Sequence, residues 1–279
     1  MKHMSQPELA TFFENCWNEK ENYQIESNLS YSDPIEDAVL YKVYKELLEK
    51  LNCITDKTSI LDIGCGSGRW IRYFNENFQP KSIHGIDLAT SSIKLLKKYF
   101  KDDNKISLSN ANICDPELNL EQQFDLINVS NVFFHIVEQD LLVEALLNLK
   151  KHLAPNGYAV TTEYLPKNTM RTPMMLVHNR EDFQRLIDHC GLKIVEVNAF
   201  AFLCNDPMGL EPSETEARTN FNKARAGIKK LLKNARSPEE RQEYVSLFST
   251  IEDAFNEFCE PRIDQVDYPS QKLVVLAHA

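Results

Sequence analysis

The chain has 279 residues, enough for one large domain or for a domain with an appendage. Its 43% hydrophobic and 26% charged residues are typical of a globular protein, and its net charge of −10 argues against general nucleic-acid binding. No apolar run approaches the roughly 20 residues of a membrane span, and seven cysteines without a C-x-x-C pair favour reduced thiols in the cytoplasm and no metal site.

Two helices are predicted before the first strand. Ser5 and Glu8 have the spacing of a capping box, which predicts a helix over about 6–21. A second helix is predicted over 34–51, where apolar residues recur at heptad-like intervals. We therefore treat residues 1–57 as an N-terminal helical cap. Whether its first helix packs on the domain or covers a substrate stays open.

Strands and helices alternate over the middle of the chain. Alternation of this kind predicts a parallel sheet with helices on both faces. The predicted strands span 58–63, 82–88, 106–110, 124–130, 157–164, 192–197 and 271–277, and the helices after the first strand span 69–78, 91–100, 138–153 and 180–190.

A glycine-rich turn joins the first strand to the helix after it. The pattern is D-x-G-x-G-x-G, which differs from the G-x-G-x-x-G of dinucleotide-binding folds and disfavours an NAD-dependent oxidoreductase. Glycine allows the backbone to reverse and lets a ligand lie against bare amides at a helix start. The residues of this candidate site are Asp62, Gly64, Cys65, Gly66 and Gly68.

This strand, turn and helix resemble the first motif of the class I S-adenosylmethionine-dependent methyltransferases. The resemblance covers about residues 58–198 and the last strand, 271–279, which together would form the cofactor-binding core. It implies a Rossmann-like, doubly wound, seven-stranded and mostly parallel sheet, with the last strand antiparallel beside the sixth. It also implies S-adenosylmethionine as cofactor, S-adenosylhomocysteine as product, and in-line methyl transfer to a small-molecule O- or N-acceptor.

The resemblance assigns further cofactor contacts to the ends of the second and third strands. Asp87, followed by Leu88, stands at the tip of the second strand, where an acid accepts hydrogen bonds from a ribose. Asn112 is expected at the adenine amino group and Ile113 against the adenine ring. Because the family more often has an aspartate at this point, Asp115 is the alternative to Asn112.

The segment after the fourth strand carries the catalytic candidate. Ser130 and Asn131 would offer backbone carbonyls to the cofactor's ammonium group. His135 is the candidate general base, because imidazole titrates near neutral pH. The alternative is a histidine that only shapes the pocket. The three substrate-binding candidates are Tyr31, Glu163 and Tyr164, although residues of this kind are more often ordinary polar surface or packing residues.

A helical insert, 199–270, precedes the last strand. A loop that leaves a parallel sixth strand emerges on the cofactor side, so we expect a substrate lid, with a homodimer contact as an equal alternative. Lys223 begins a basic run that ends at Arg236. That run is the one feature favouring an RNA or protein acceptor over a small molecule. A catalytically silent cofactor-binding protein is the other alternative.

Overall fold

A computed structural model describes residues 4–18, 34–201, 215–259 and 271–279. Most of its strands form one sheet of seven, and two short strands form a separate ribbon. The sheet strands are β1 (Ser59–Ile63), β2 (Ser82–Asp87), β3 (Ile106–Asn110), β4 (Phe124–Val129), β5 (Leu153–Glu163), β8 (Leu192–Ala201) and β9 (Gln271–His278), and the ribbon strands are β6 (Met170–Arg171) and β7 (Leu176–Val177).

Helices cover both faces of this sheet. A short 3-10 turn, Phe133–His135, follows β4. In the described residues, no helix combines the length and the hydropathy that a bilayer crossing requires. The helices are α1 (Gln6–Asn18), α2 (Pro34–Leu51), α3 (Arg69–Phe78), α4 (Thr90–Tyr99), α5 (Gln139–His152), α6 (Arg180–His189), α7 (Thr215–Lys233) and α8 (Pro238–Cys259).

The strand order is β3-β2-β1-β4-β5-β9-β8, and β9 is antiparallel to both of its neighbours. The other neighbouring pairs are parallel. The predicted fold class, with an antiparallel last strand beside the sixth, is therefore confirmed. Because the parallel strands end at one rim of the sheet, the loops that leave them meet there.

Alternating side chains of the central strands feed two hydrophobic layers. On one face, Leu61 and Ile127 pack with residues of α5 and α6. On the other face, Ile60 packs in one cluster with Tyr44 of α2 and Phe74 of α3. Helix α2 thus belongs to the main core, since it buries its apolar side against the same strands as α3.

The described helices of the insert pack beside α2. Ile228 of α7 and Val245 of α8 form a small cluster with Val39 of α2. At the other end of α2, Lys50 pairs with Glu196 of β8 at 2.6 Å. The first contact connects the insert to α2, and the second connects α2 to the edge strand of the sheet. A lid over the substrate stays a prediction, because residues 202–214 and 260–270 lie outside the described part.

Two predicted strands differ from the observed ones by four residues at one end, whereas the other five differ by at most one residue. Strand β5 begins at Leu153, four residues earlier than predicted, because Leu153 pairs with Phe124 before a register shift. Strand β8 continues to Ala201 because it stays paired with β9 across two irregular positions. Both extensions depend on a neighbouring strand, so local sequence patterns do not reveal them.

Candidate active site

The turn after β1 is held in a conformation that suits glycine. Gly64, Gly66 and Gly68 have φ values of +69°, +47° and +74°. The amides of Gly64 and Cys65 both donate to the carbonyl of Ile86, at 2.8 and 3.0 Å. A Cβ on Gly64 would lie 2.4 Å from Val132 Cγ2, so this position excludes a side chain on steric grounds as well.

Asp62 lies buried beneath this turn, 1% exposed. Asn128 Nδ2 donates to its Oδ1 at 2.7 Å. Its Oδ2 is buried and has no hydrogen-bond partner among the described residues. Burial raises the pKa of Asp62 to about 7, against the effect of the Asn128 hydrogen bond. An acceptor oxygen is therefore left for a donor that these residues do not supply.

Asp87 ties the tip of β2 to the glycine turn. Its Oδ2 accepts from the Gly66 amide at 2.8 Å, and its Oδ1 accepts from the Ala89 amide at 2.8 Å. Burial raises the pKa of Asp87, and the two amide hydrogen bonds oppose that rise. Each carboxylate oxygen keeps a lone pair beyond these bonds, so the group can still accept from a pair of hydroxyls.

Asn110, which the sequence reasoning missed, positions this tip from the neighbouring strand. Its Nδ2 donates to the carbonyls of Asp87 and Leu88, each at 2.9 Å. Its Oδ1 accepts from Thr90 Oγ1 at 3.0 Å, which fixes the start of α4. The signal was its place as the last residue of β3, in register with Asp87.

The predicted adenine contacts lie in a tightly bonded turn after β3. Asn112 Oδ1 accepts from the Cys114 amide at 3.0 Å. Asn148 Nδ2, on α5, donates to the carbonyls of Ile113 and Asp115 at 2.8 and 2.7 Å. The Ile113 side chain is 7% exposed and packs in the core, whereas Asn112 and Asp115 are exposed.

Hydrogen bonds connect the loop after β4 to the neighbouring strand β5 and to β9, which lies beyond it. Asn131, with φ +59°, donates its amide to Thr162 Oγ1 at 2.7 Å. Its Oδ1 accepts from Thr162 Oγ1 at 2.9 Å and from Gln271 Nε2 at 3.0 Å. These bonds hold Ser130, which is half-buried, and its carbonyl at the rim.

His135 lies in the 3-10 turn that follows this loop. Its Nδ1 is 3.0 Å from the carbonyl oxygen of Met174, so Nδ1 carries the proton in the neutral ring. Its Nε2 has no hydrogen-bond partner among the described residues. The rings of Phe13 and Phe134 lie 5.2 and 4.8 Å away, centroid to centroid. Burial lowers the pKa of His135, which favours a neutral base at neutral pH.

The end of β5 carries two of the three substrate candidates. Glu163 is 4% exposed, accepts from Thr161 Oγ1 at 2.8 Å, and has a pKa that burial raises to about 8. The ring of Tyr164 lies 5.5 Å from that of Phe134, next to His135 in sequence. The third candidate, Tyr31, lies outside the described residues.

Helix α1 crosses the rim of the sheet and contacts both the glycine turn and His135. The nearest atom of the Trp17 ring is 3.1 Å from where a Cβ on Gly66 would be. One turn earlier, Ser91 Oγ donates to the carbonyl of Glu14 at 3.3 Å, and Phe13 contacts the imidazole described above. The apolar stripe of α1 indicated a buried face, but not that it would cover this site.

Comparisons with known proteins agree with this architecture. A family profile described as "Methyltransferase domain" matches residues 60–157. Ubiquinone biosynthesis O-methyltransferase from Rickettsia akari is 28% identical over 164 residues, which are 57% of this chain and 60% of that protein. The chain spans about half the length of the curated relatives it matches.

Two solved structures share the fold at low sequence identity. The N-methyltransferase NodS from Bradyrhizobium japonicum WM9, in complex with S-adenosylhomocysteine, superposes with a TM-score of 0.52 at 19% identity, covering 69% of this chain and 90% of that one. The [4+2]-cyclase SpnF superposes with a TM-score of 0.58 at 12% identity, covering 99% and 97%. The match to a methyltransferase domain therefore includes the glycine turn and the acid beneath it, and the two solved structures share the fold of this seven-stranded sheet.

Proposed function

We propose that this protein transfers a methyl group from S-adenosylmethionine to a small-molecule O- or N-acceptor by in-line displacement. The observation that carries the proposal is the meeting of Asp87 with the Gly66 amide, 2.8 Å apart, above the buried Asp62. This arrangement supports the proposal, because the Asp87 carboxylate would bind a ribose and the bare backbone beside it would bind an amino-acid moiety. An orphaned acceptor under the turn suits a cationic ligand group.

The residues present fit this cofactor, which supplies an electrophilic methyl group when bound. Asp62 Oδ2, with the carbonyls of Ser130 and Asn131, would hold the ammonium group, since all three are acceptors at one rim. Asp87 would hold the ribose hydroxyls, with Leu88 beside it. The turn at Asn112 and Ile113 would face the adenine, with Asp115 as the alternative polar contact.

His135 would act as the base where the acceptor must lose a proton. Its Nε2 lone pair would take the proton of a hydroxyl or an amine as the nucleophile attacks. The Met174 carbonyl holds the ring orientation, and the rings of Phe13 and Phe134 exclude water from it. Glu163 and Tyr164 would contact the acceptor from the end of β5.

The experiment is detection of S-adenosylhomocysteine during incubation with S-adenosylmethionine and separate panels of hydroxyl and amine acceptors. Turnover with a low-molecular-mass acceptor, lost in His135→Ala but not in His84→Ala, is the expected result. His84 is the matched control, because it is a half-buried histidine on β2 that bonds Ser107. Cofactor binding without turnover across both panels would favour a catalytically silent protein, and no cofactor binding would refute the proposal.

A second candidate, methylation of RNA, draws on the exposed basic side of α7. Four lysines there are exposed, and none forms an ion pair with a described residue: Lys223, Lys229, Lys230 and Lys233. Such a run is often only a solvated face. Salt-dependent RNA binding that disappears when Lys229, Lys230 and Lys233 become glutamate would favour this candidate. Cytoplasmic location and a homodimer stay predictions from the sequence.

A further inference from the structure

A hydrogen-bonded chain of three buried side chains connects α2 to the acid beneath the glycine turn. Tyr44 Oη donates to Asn128 Oδ1 at 2.7 Å, and Asn128 Nδ2 donates to Asp62 Oδ1 at 2.7 Å. Tyr44 and Asn128 are fully buried, and Asp62 is 1% exposed. Two of the three side chains lie on central strands, and the third comes from a helix of the N-terminal region. The chain is therefore rigid and shielded from water.

The direction of these hydrogen bonds depends on the protonation state of Asp62. With an ionised carboxylate, the amide must turn its Nδ2 towards Asp62, and Tyr44 then donates to Oδ1. With a protonated carboxyl, the amide can turn over, so that Asp62 donates to Oδ1 and Nδ2 donates to Tyr44 Oη. The tyrosine hydroxyl satisfies the amide in both states, but only in the first does it stabilise the anion.

The groups around Asp62 leave its negative charge without a neutralising partner in the described residues. Asp87, at the tip of β2, is a second acid, and it raises the pKa of Asp62. The Cys65 thiol and the Tyr44 phenol both have pKa values raised well above their ordinary values by burial, so both are neutral. On α3, Tyr73 has a raised pKa, and the Arg69 guanidinium is directed at Tyr41, to which its Nε donates at 2.9 Å.

We propose that Tyr44 is a positioning residue which, through the Asn128 amide, stabilises the ionised form of Asp62, so that cofactor binding releases a proton. The inference rests on the proposed function, because it assigns Asp62 to the cofactor's ammonium group. The proton leaves the Asp62 carboxyl for solvent, and the carboxylate that remains pairs with the incoming cation. Cofactor affinity then rises with pH until Asp62 is ionised in the free protein.

Titration calorimetry with S-adenosylhomocysteine between pH 5.5 and 8 tests this coupling. In two buffers of different ionisation enthalpy, phosphate and imidazole, the apparent enthalpy below the midpoint should differ by the difference between the two ionisation enthalpies for one released proton, and above the midpoint it should differ by little. Methylthioadenosine, which has the nucleoside but no ammonium group, should bind without this release. Equal proton release for both ligands, or none for either, would overturn the inference while leaving cofactor binding intact.

The Tyr44→Phe variant distinguishes stabilisation of the Asp62 anion from a purely structural role of Tyr44. It should move the pH midpoint of binding upward by roughly half a unit to one unit, since the ionised form loses one hydrogen bond of support. The control is Tyr73→Phe, which removes a hydroxyl from the same aromatic cluster that donates to the Tyr41 carbonyl instead. It should keep the original midpoint.

The double variant Tyr44→Phe/Asp62→Asn identifies the titrating group. With no carboxyl at position 62, neither the midpoint nor the Tyr44 effect should remain. If Tyr44→Phe still shifts the midpoint in the Asp62→Asn background, another acid is titrating, and the proposed role of Tyr44 is refuted. A wild-type midpoint in Tyr44→Phe, with unchanged thermal unfolding, would refute it as well. Absence of S-adenosylhomocysteine binding to the wild-type protein would refute the proposed function.

Discussion

The Asp87 carboxylate accepts a hydrogen bond from the Gly66 amide at 2.8 Å, across the gap between the ends of β2 and β1. The two residues are 21 positions apart, yet they form one rigid edge of the site. The second carboxylate oxygen accepts from Ala89, so the acid is oriented before any ligand arrives. Because the carboxylate is already oriented, ligand binding costs less conformational entropy.

Asp87→Ala should weaken S-adenosylhomocysteine binding by about 1–3 kcal/mol, because the ribose hydroxyls lose their acceptor. The measurement is titration calorimetry at constant pH. Asp102→Ala, at an exposed position near the end of α4, is the matched control and should bind normally. Unchanged affinity in Asp87→Ala would remove the ribose role from this residue.

His135→Ala should reduce turnover about 10²–10⁴-fold if the imidazole is the base. Because burial lowers the pKa of His135, the wild-type rate should rise with pH, and the pKa that governs this rise should lie below the ordinary histidine value of 6.5. Initial rates across pH give both quantities, and cofactor affinity should stay normal in the variant. A near-normal rate would leave His135 as a residue that shapes the pocket.

Glu163→Gln should stabilise the protein at alkaline pH. Burial raises the pKa of Glu163 in the folded state to about 8, from an ordinary value of 4.5. The wild-type protein therefore loses free energy of unfolding as the pH rises from 4.5 to 8, and this loss remains at higher pH. We expect a melting temperature roughly 3–8 °C above wild type at pH 9, and a smaller difference at pH 5. Glu76→Gln, on the exposed surface, should show no such pH dependence.

Gly64→Ala and Gly227→Ala should have opposite effects on stability. At Gly64, with φ +69°, a Cβ would meet Val132 at 2.4 Å, so we expect a loss of about 1–3 kcal/mol in urea unfolding. At Gly227, within α7, a Cβ meets nothing within 4 Å, and alanine should gain roughly 0.5–1 kcal/mol. A stable Gly64→Ala protein that binds cofactor normally would contradict the requirement for glycine in the turn.

The local elements of the core were accessible from sequence alone. The predicted bounds of the first glycine-turn helix, 69–78, and of the third strand, 106–110, match α3 and β3. These patterns are short-range, since apolar spacing and glycine act within a few residues. The family resemblance added the strand order and the cofactor, because the same motif is attached to one topology.

The contacts that tune the site were decided by tertiary structure. Asn110, rather than a residue of the following turn, clasps the tip of β2 because β3 lies in register beside it. The hydrogen bond from Tyr44 to Asn128 spans 84 positions, and the pKa values of Asp62 and Glu163 depend on burial by distant elements. Sequence patterns report which face of an element is apolar, whereas the partner that the chain brings against that face, and the ionisation that burial imposes, exist only once the sheet and helices have assembled.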